Sequence, residues 1–274
     1  MDVKEELYNQ NFKFKQKFGQ NFLTDTNLLS AIVGDAKIGR NDNVLEIGPG
    51  AGTLTKEILK ATNGQVVAVE IDKDLESVLQ KNLQNFSNFE LVLGDILKIS
   101  PEDIKKKFDG KEFKVVANLP YYISTPILFY LLENDFNIKS ITVMLQLELA
   151  KRLKAQKNTK DYGALTILLD YLGDVFLARK VSRTLFTPQP NVDSAIVRID
   201  INPKYGIKYS SIAPFVKKSF AMRRKTLENN IVSGFNLSRE EVQGAISACG
   251  FAKNCRAEDL TSKDFISLYQ KLFA

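Results

Sequence analysis

The tetrad Asn118-Leu119-Pro120-Tyr121 can bring two hydrogen-bond acceptors and an aromatic ring to one point. The Asn118 side-chain oxygen and the Leu119 carbonyl, held by Pro120, can accept from both N–H groups of an exocyclic amine. Such an amine is a poor nucleophile while its lone pair is delocalised into the ring that bears it. Two acceptors rotate or pyramidalise the nitrogen and free that pair. Tyr121 can stack on the base, a contact worth about 1–3 kcal/mol. The pattern points to chemistry on an amino group such as adenine N6, against the plainer alternative of a proline turn beside a core tyrosine.

A second constellation supplies a nucleoside pocket. Val44-Leu45-Glu46-Ile47-Gly48-Pro49-Gly50-Ala51-Gly52-Thr53 reads as a buried strand, a glycine turn and a helix start. Open α/β sheets bind ligands at such a place. The dinucleotide fingerprint needs a glycine where Thr53 stands, and no Gly-Lys-Ser/Thr follows, so phosphate-cradle readings fail. Some twenty residues on, Glu70 ends the next strand, where an acid can accept both hydroxyls of a ribose. Asp95, in Gly94-Asp95-Ile96, falls on the same sheet edge and suits an adenine amino group. An adenosine pocket without a phosphate cradle suits S-adenosylmethionine as cosubstrate.

Histidine is absent from the 274 residues. Serine–histidine and cysteine–histidine nucleophiles, histidine bases and histidine metal ligands are therefore excluded. Cys249 and Cys255 are too few for a disulfide scaffold or a convincing zinc site, and two reduced thiols and no metal are expected.

The elements needed to position these residues follow from periodicity. Buried strands are expected at Asn43–Gly48, Gln65–Ile71, Phe89–Leu93, Lys114–Asn118 and Ser140–Leu145. Amphipathic helices are expected between them, at Thr53–Ala61, Lys73–Phe86 and Thr125–Leu132. This alternation implies a parallel sheet covered on both faces. A helix at Tyr162–Leu172 and an antiparallel pair, Asp174–Ser182 and Asp193–Ile201, complete a seven-stranded, mostly parallel sheet. Asn202-Pro203-Lys204-Tyr205-Gly206 is a turn-rich boundary. We expect a catalytic domain over 1–203, with a basic N-terminal arm, and a small all-α domain over 204–274. Helices are expected there near Ser210–Met222, Arg223–Val232, Ser238–Ala248 and Ser262–Phe273. Ser238 and Glu241 have capping-box spacing.

The net charge is +6, with the basic residues unevenly spread. Lys13, Lys15 and Lys17 lie in one acid-free run. Lys204, Lys208, Lys217, Lys218, Arg223, Arg224 and Lys225 lie in another. Two such runs suggest a phosphate-backbone footprint, the alternative being a solvated lysine face. The uncharged stretch from Val115 to Leu132 contains Asn118, Pro120 and Pro126, which suit a strand, turn and helix start better than a membrane span. A soluble, cytoplasmic chain with no signal peptide is expected.

The chain resembles the ribosomal RNA small-subunit adenine N6,N6-dimethyltransferases, the enzymes whose loss confers kasugamycin resistance. The matching segments are Lys17-Phe18-Gly19-Gln20-Asn21-Phe22-Leu23, Glu46–Gly52, Glu70, Gly94-Asp95-Ile96 and Asn118–Tyr122. They continue with Gln146 and Glu148, Phe186–Pro190 with Val192-Asp193-Ser194, and Phe220–Asn230. The resemblance implies a class I methyltransferase (Rossmann-like) fold that uses S-adenosylmethionine on 16S rRNA within an immature small ribosomal subunit, as a monomer. It implies that Asn21 and Leu23 reach over the cosubstrate and that Gly48 approaches its methionine part. Glu70 would hold the ribose, Asp95 the adenine ring, and Asn118 would sit beside the reacting methyl. Tyr121 and Phe220 would sandwich the target adenine. Leu147 departs from the polar or basic residue expected between Gln146 and Glu148, which bears on the RNA-facing detail.

Two competing readings stay open at this level. One is a related enzyme that methylates a large-subunit (23S) rRNA adenine and confers macrolide resistance. The other is a non-catalytic ribosome assembly factor on the same fold.

Overall fold

The computed structural model describes residues 22–23 and 25–273. It opens on a short strand, β1 (Phe22–Leu23), and a helix, α1 (Thr26–Asp35), whose N-terminus is capped by the Asp25 carboxylate accepting from the Leu28 N–H. Strands and helices then alternate as β2 (Asn43–Ile47), α2 (Thr53–Ala61), β3 (Val66–Glu70), α3 (Glu76–Leu83), β4 (Phe89–Leu93), α4 (Pro101–Lys107), β5 (Phe113–Asn118), α5 (Ser124–Glu133) and β6 (Ile138–Gln146). Then come α6 (Leu147–Leu153), α7 (Ala164–Leu172), β7 (Gly173–Val181), β8 (Phe186–Thr187) and β9 (Ser194–Ile201).

The main sheet runs β4-β3-β2-β5-β6-β9-β7, parallel from β4 to β6 and antiparallel between β6 and β9. Strands covered on both faces carry near-continuous apolar runs. Every residue of β3 is buried accordingly. The chain builds one half of the sheet from β2 outward through β3 and β4. It then returns to lay β5 and β6 on the other side of β2. That reversal leaves a crevice beyond the carboxyl ends of β2 and β5, where such sheets bind ligands. The seven-stranded class I architecture expected from the sequence is present.

Two local expectations shift. The helix expected over Lys73–Phe86 begins as a 3-10 turn, Lys73–Leu75, capped by Asp72, before α3 takes over. The helices expected at Ser210–Met222 and Arg223–Val232 are α8 (Tyr209–Ser219) and α9 (Leu227–Phe235), with a turn between them. The buried Asn230 side chain holds that turn. It donates to the Ser219 carbonyl at 2.8 Å and accepts from the Met222 N–H at 3.2 Å. Thr226 then caps α9, accepting from Asn229.

The chain divides into two compact units, and the division differs from the contiguous 1–203 and 204–274 segments expected. One unit runs to Ala150 and includes Phe176–Ile201; the other joins Lys151–Val175 to the residues from Asn202 onward. The reason lies in α7, Ala-Leu-Thr-Ile-Leu-Leu-Asp-Tyr-Leu, which is apolar on most of its circumference and packs against α8 and α11 (Ser262–Phe273). Polar ties reinforce it. The Tyr162 hydroxyl donates to the Leu260 carbonyl at 2.8 Å, and Ser262 bonds to Asp170. In the same unit α10 (Arg239–Ala248) opens with both hydrogen bonds of the Ser238–Glu241 capping box. Among the described residues no helix is long and apolar enough to cross a membrane.

Candidate active site

One cavity of about 1040 Å³, open to solvent, lies at the carboxyl ends of β2, β3 and β5, wholly within the first unit. Its lining, mostly apolar with a few converging polar groups, is that of a small-molecule site. Leu23, Gly48, Glu70, Asp95, Asn118, Leu119, Pro120 and Tyr121 all line it. The sheet thus gathers residues that the sequence scatters over about a hundred positions. Asn21 lies outside the described residues.

The glycine turn makes room for a ligand. Gly48, Gly50 and Gly52 have φ of 71°, 60° and 82°, a region that favours glycine. At Gly52 an added Cβ would also press on Leu79 at 3.1 Å. Glu70 braces the turn from the next strand. One carboxylate oxygen accepts from the Gly50 N–H at 3.1 Å and the other from the Asp72 N–H at 2.8 Å. Each oxygen keeps a lone pair for a further donor. Burial nevertheless raises the Glu70 carboxyl above its ordinary range, and the two N–H bonds only partly offset it.

Glu46, one residue before the last of β2, also lines the cavity, and the sequence reading assigned it no role of its own. It is 1% exposed, and its Oε2 has no hydrogen-bond partner among the described residues. Burial, helped by the nearby Glu70, pushes its carboxyl up to about 8. The Thr55 hydroxyl opposes this from α2, although it too lies outside hydrogen-bonding geometry. The signal was in the sequence, as the lone charge in the apolar run Val44–Ile47.

The opposite wall carries the tetrad. Asn118 ends β5, and its carbonyl lies 4.0 Å from where a Gly48 side chain would begin. The Ser124 hydroxyl bonds the Pro120 carbonyl at 2.9 Å and so ties the turn to α5. Tyr121 is half-buried, and its hydroxyl hydrogen bonds to the Ser194 hydroxyl at the start of β9, with 2.6 Å between the oxygens. Burial raises the phenol further, and nearby Asp193 adds to this while Ser194 opposes it. Ser194 was noticed in the sequence only as part of a motif.

Two motifs far apart in sequence meet at the cavity's edge. β1 pairs antiparallel with β8, Phe22 opposite Thr187 and Leu23 opposite Phe186. The Leu23 carbonyl also accepts from the Thr53 hydroxyl at 3.1 Å. Thus Phe186-Thr187 holds in place the strand that puts Leu23 on the cavity wall.

Phe220 belongs to the second unit, where it caps α8 and packs against Tyr162 and Phe265. The basic residues of that unit are not equivalent. Arg223 bonds Glu258 at 3.0 Å and the carbonyls of Thr159 and Lys160. Lys218 donates to the Gly234 carbonyl at 2.6 Å and lies over the Phe235 ring. Lys217 sits beside it in the last turn of α8. Arg224 and Lys225 are exposed in the turn that follows.

Comparison with known proteins decides the family. A family model described as ribosomal RNA adenine dimethylase matches residues 11–273. The chain belongs to that family. It is thereby an adenine dimethyltransferase of the S-adenosylmethionine-dependent, class I kind. Similar relatives named ribosomal RNA small subunit methyltransferase A include that of Clostridium botulinum strain Kyoto, 41% identical over 97% of this chain and 96% of the relative. The protein of that name from Bacillus mycoides is 42% identical over 95% of this chain and 92% of its own. Among solved structures, a dimethyladenosine transferase from Plasmodium falciparum aligns with a TM-score of 0.72 and 26% identity, over 90% of this chain and 95% of that one. The 23S rRNA methyltransferase ErmE aligns with a TM-score of 0.68 and 28% identity, over 93% and 100%.

The cavity fits a cationic nucleoside. Among the described residues Glu46, Glu70 and Asp95 line it and no lysine or arginine does, although the chain as a whole is basic. No side-chain cation among those lining residues is available to pair with a phosphate.

Proposed function

We propose that this protein dimethylates the N6 amino groups of two adjacent adenines in the 3′-terminal hairpin of 16S rRNA, acting on an immature small ribosomal subunit. The observation that carries this reading is the single cavity that joins the carboxylates Glu70 and Asp95 to the Asn118–Tyr121 tetrad. S-adenosylmethionine, when bound, supplies an electrophilic methyl on a sulfonium, leaving a neutral thioether. Everything else falls to the chain. Glu70 accepts from the ribose hydroxyls and Asp95 from the adenine amino group, while Gly48 approaches the methionine part and Leu23 reaches over the cosubstrate. The resemblance assigns Asn21 to the same set. The exposed Ile71 adds an apolar surface beside Glu70.

Asn118 and the Leu119 carbonyl accept from the target amine, and Pro120 holds both acceptors. Polarising and aligning the nitrogen is the catalytic contribution required, and no histidine base is needed, because the proton can leave to water after transfer. Tyr121 stacks on the target adenine. Lys217, Lys218, Arg223, Arg224 and Lys225 form the candidate phosphate-facing surface. The protein acts as a cytoplasmic monomer with no metal, and the same RNA binding serves small-subunit maturation.

A large-subunit substrate is the second reading. The relatives at 41–42% identity bear the small-subunit name, whereas ErmE is 28% identical. Mass spectrometry of undermethylated small subunits incubated with protein and S-adenosylmethionine tests the choice. Dimethyladenosine in the 16S 3′-terminal fragment is expected. Modification of 23S rRNA alone would overturn it.

A further inference from the structure

Among the described residues three carboxylates and no basic side chain line the cavity, and the most deeply buried, Glu46, leaves one oxygen without a hydrogen-bond partner. Glu46 Oε2 has neither hydrogen bond nor water-facing surface among the described residues. A buried carboxylate in that position is costly unless it is protonated or meets a cation. The described elements around Glu46 offer no cation. On β3, Glu70 and the following Asp72 bring more negative charge. On β5, Lys114 is turned to Asp42 at 2.7 Å. On α2, Lys56 is exposed, Lys60 pairs with Glu57 at 2.6 Å, and Thr55 brings only a hydroxyl. Asp95 and Tyr121 face the same cavity and add no positive charge.

We propose that Glu46 reads the positive charge of the cosubstrate, holding a proton in the empty cavity, releasing it as the sulfonium donor binds, and regaining it when the neutral thioether product is left. This rests on S-adenosylmethionine being the ligand of the cavity. Its consequence is a preference for donor over product that grows with pH. Below the free-state value of about 8, donor binding must expel the proton. Affinity therefore rises with pH and levels off above that value. For a group of this kind the gain from pH 7 to pH 9 is about tenfold.

Titration calorimetry in buffers of differing ionisation enthalpy tests this directly, because it counts protons independently of turnover. At pH 7 wild type is expected to release more protons with S-adenosylmethionine than with S-adenosylhomocysteine, by close to one proton, and the difference should vanish near pH 9. Glu46→Gln, nearly isosteric, should abolish the difference and bring the two affinities closer together. Equal proton counts for the two ligands in wild type would overturn the proposal, whether or not the variant folds. So would a wild-type difference that survives in a folded Glu46→Gln. If neither ligand binds wild type, the reading of the cavity itself fails, which is a distinct result.

Discussion

The Tyr121 hydroxyl meets the Ser194 hydroxyl at 2.6 Å, linking the turn after β5 to the first residue of β9. The ring proposed to stack on the target base is thus oriented by a serine 73 positions away. Stacking alone requires only the ring of Tyr121, and on that basis Tyr121→Phe would be mild. The bond adds a positional requirement. Ser194→Ala and Tyr121→Phe should each slow single-turnover methyl transfer by about fivefold, the worth of one ordinary hydrogen bond. The double variant should be no slower than either alone, and Tyr121→Ala much slower. Additive losses from the first two changes would show that the bond does not position the ring.

Asn118→Ala should slow methyl transfer about 100-fold or more, by analogy with loss of a preorganised polar group. Cosubstrate affinity should change far less. Rapid-quench single turnovers with saturating cosubstrate and RNA separate the two, and a near-wild-type rate would remove Asn118 from the chemical step.

Glu70→Ala should weaken cosubstrate binding by about 1.5–3 kcal/mol through loss of a charged acceptor. The structure adds a second effect, because the Gly50 and Asp72 N–H groups also lose their acceptor. Faster amide exchange at those two positions in the variant is expected. Unchanged calorimetric affinity would mean that Glu70 only braces the turn.

Glu46 also sets a pH dependence of stability. Its folded-state pKa, about 8, lies above the ordinary glutamate value of 4.5. Between those values the folded chain holds a proton that the unfolded chain has lost, so stability falls as pH rises through this window. Glu70, shifted the same way, acts in the same direction. Glu46→Gln should leave stability at pH 5 little changed and raise it at pH 8.5 by a few kcal/mol, on the order set by linkage. Urea melts at the two pH values measure this; an unchanged pH dependence would place the Glu46 proton elsewhere.

The basic side chains should divide by their partners. Replacing Arg224 and Lys225 with Ala should flatten the salt dependence of RNA binding, by up to about 0.7–0.9 in log–log slope per lost contact, with little effect on stability. Arg223→Ala should in addition cost about 1 kcal/mol of stability, through its bonds to Glu258 and the Thr159 and Lys160 carbonyls. An Arg223→Ala variant with wild-type melting and an unchanged salt slope would contradict both assignments.

Local pattern carried much of this protein. The glycine turn after β2, the acids after β3 and β4, and the tetrad after β5 are each a strand end followed by special residues. In a parallel sheet every such end faces the same edge, so order along the chain was enough to place them together. The Ser238–Glu241 cap is likewise complete within four residues. What the tertiary structure decided involves partners remote in sequence or states set by burial. β1 pairs with β8, Tyr121 with Ser194 and Arg223 with Glu258 across separations that no periodicity encodes. Helix α7 follows the catalytic strands in order yet packs with the C-terminal helices, because its apolar surface needs α8 and α11 to cover it. The charge of Glu46 depends on the water excluded around it and on Glu70 beside it. The sequence shows that a carboxyl is present, but only the packed fold determines whether it is ionised.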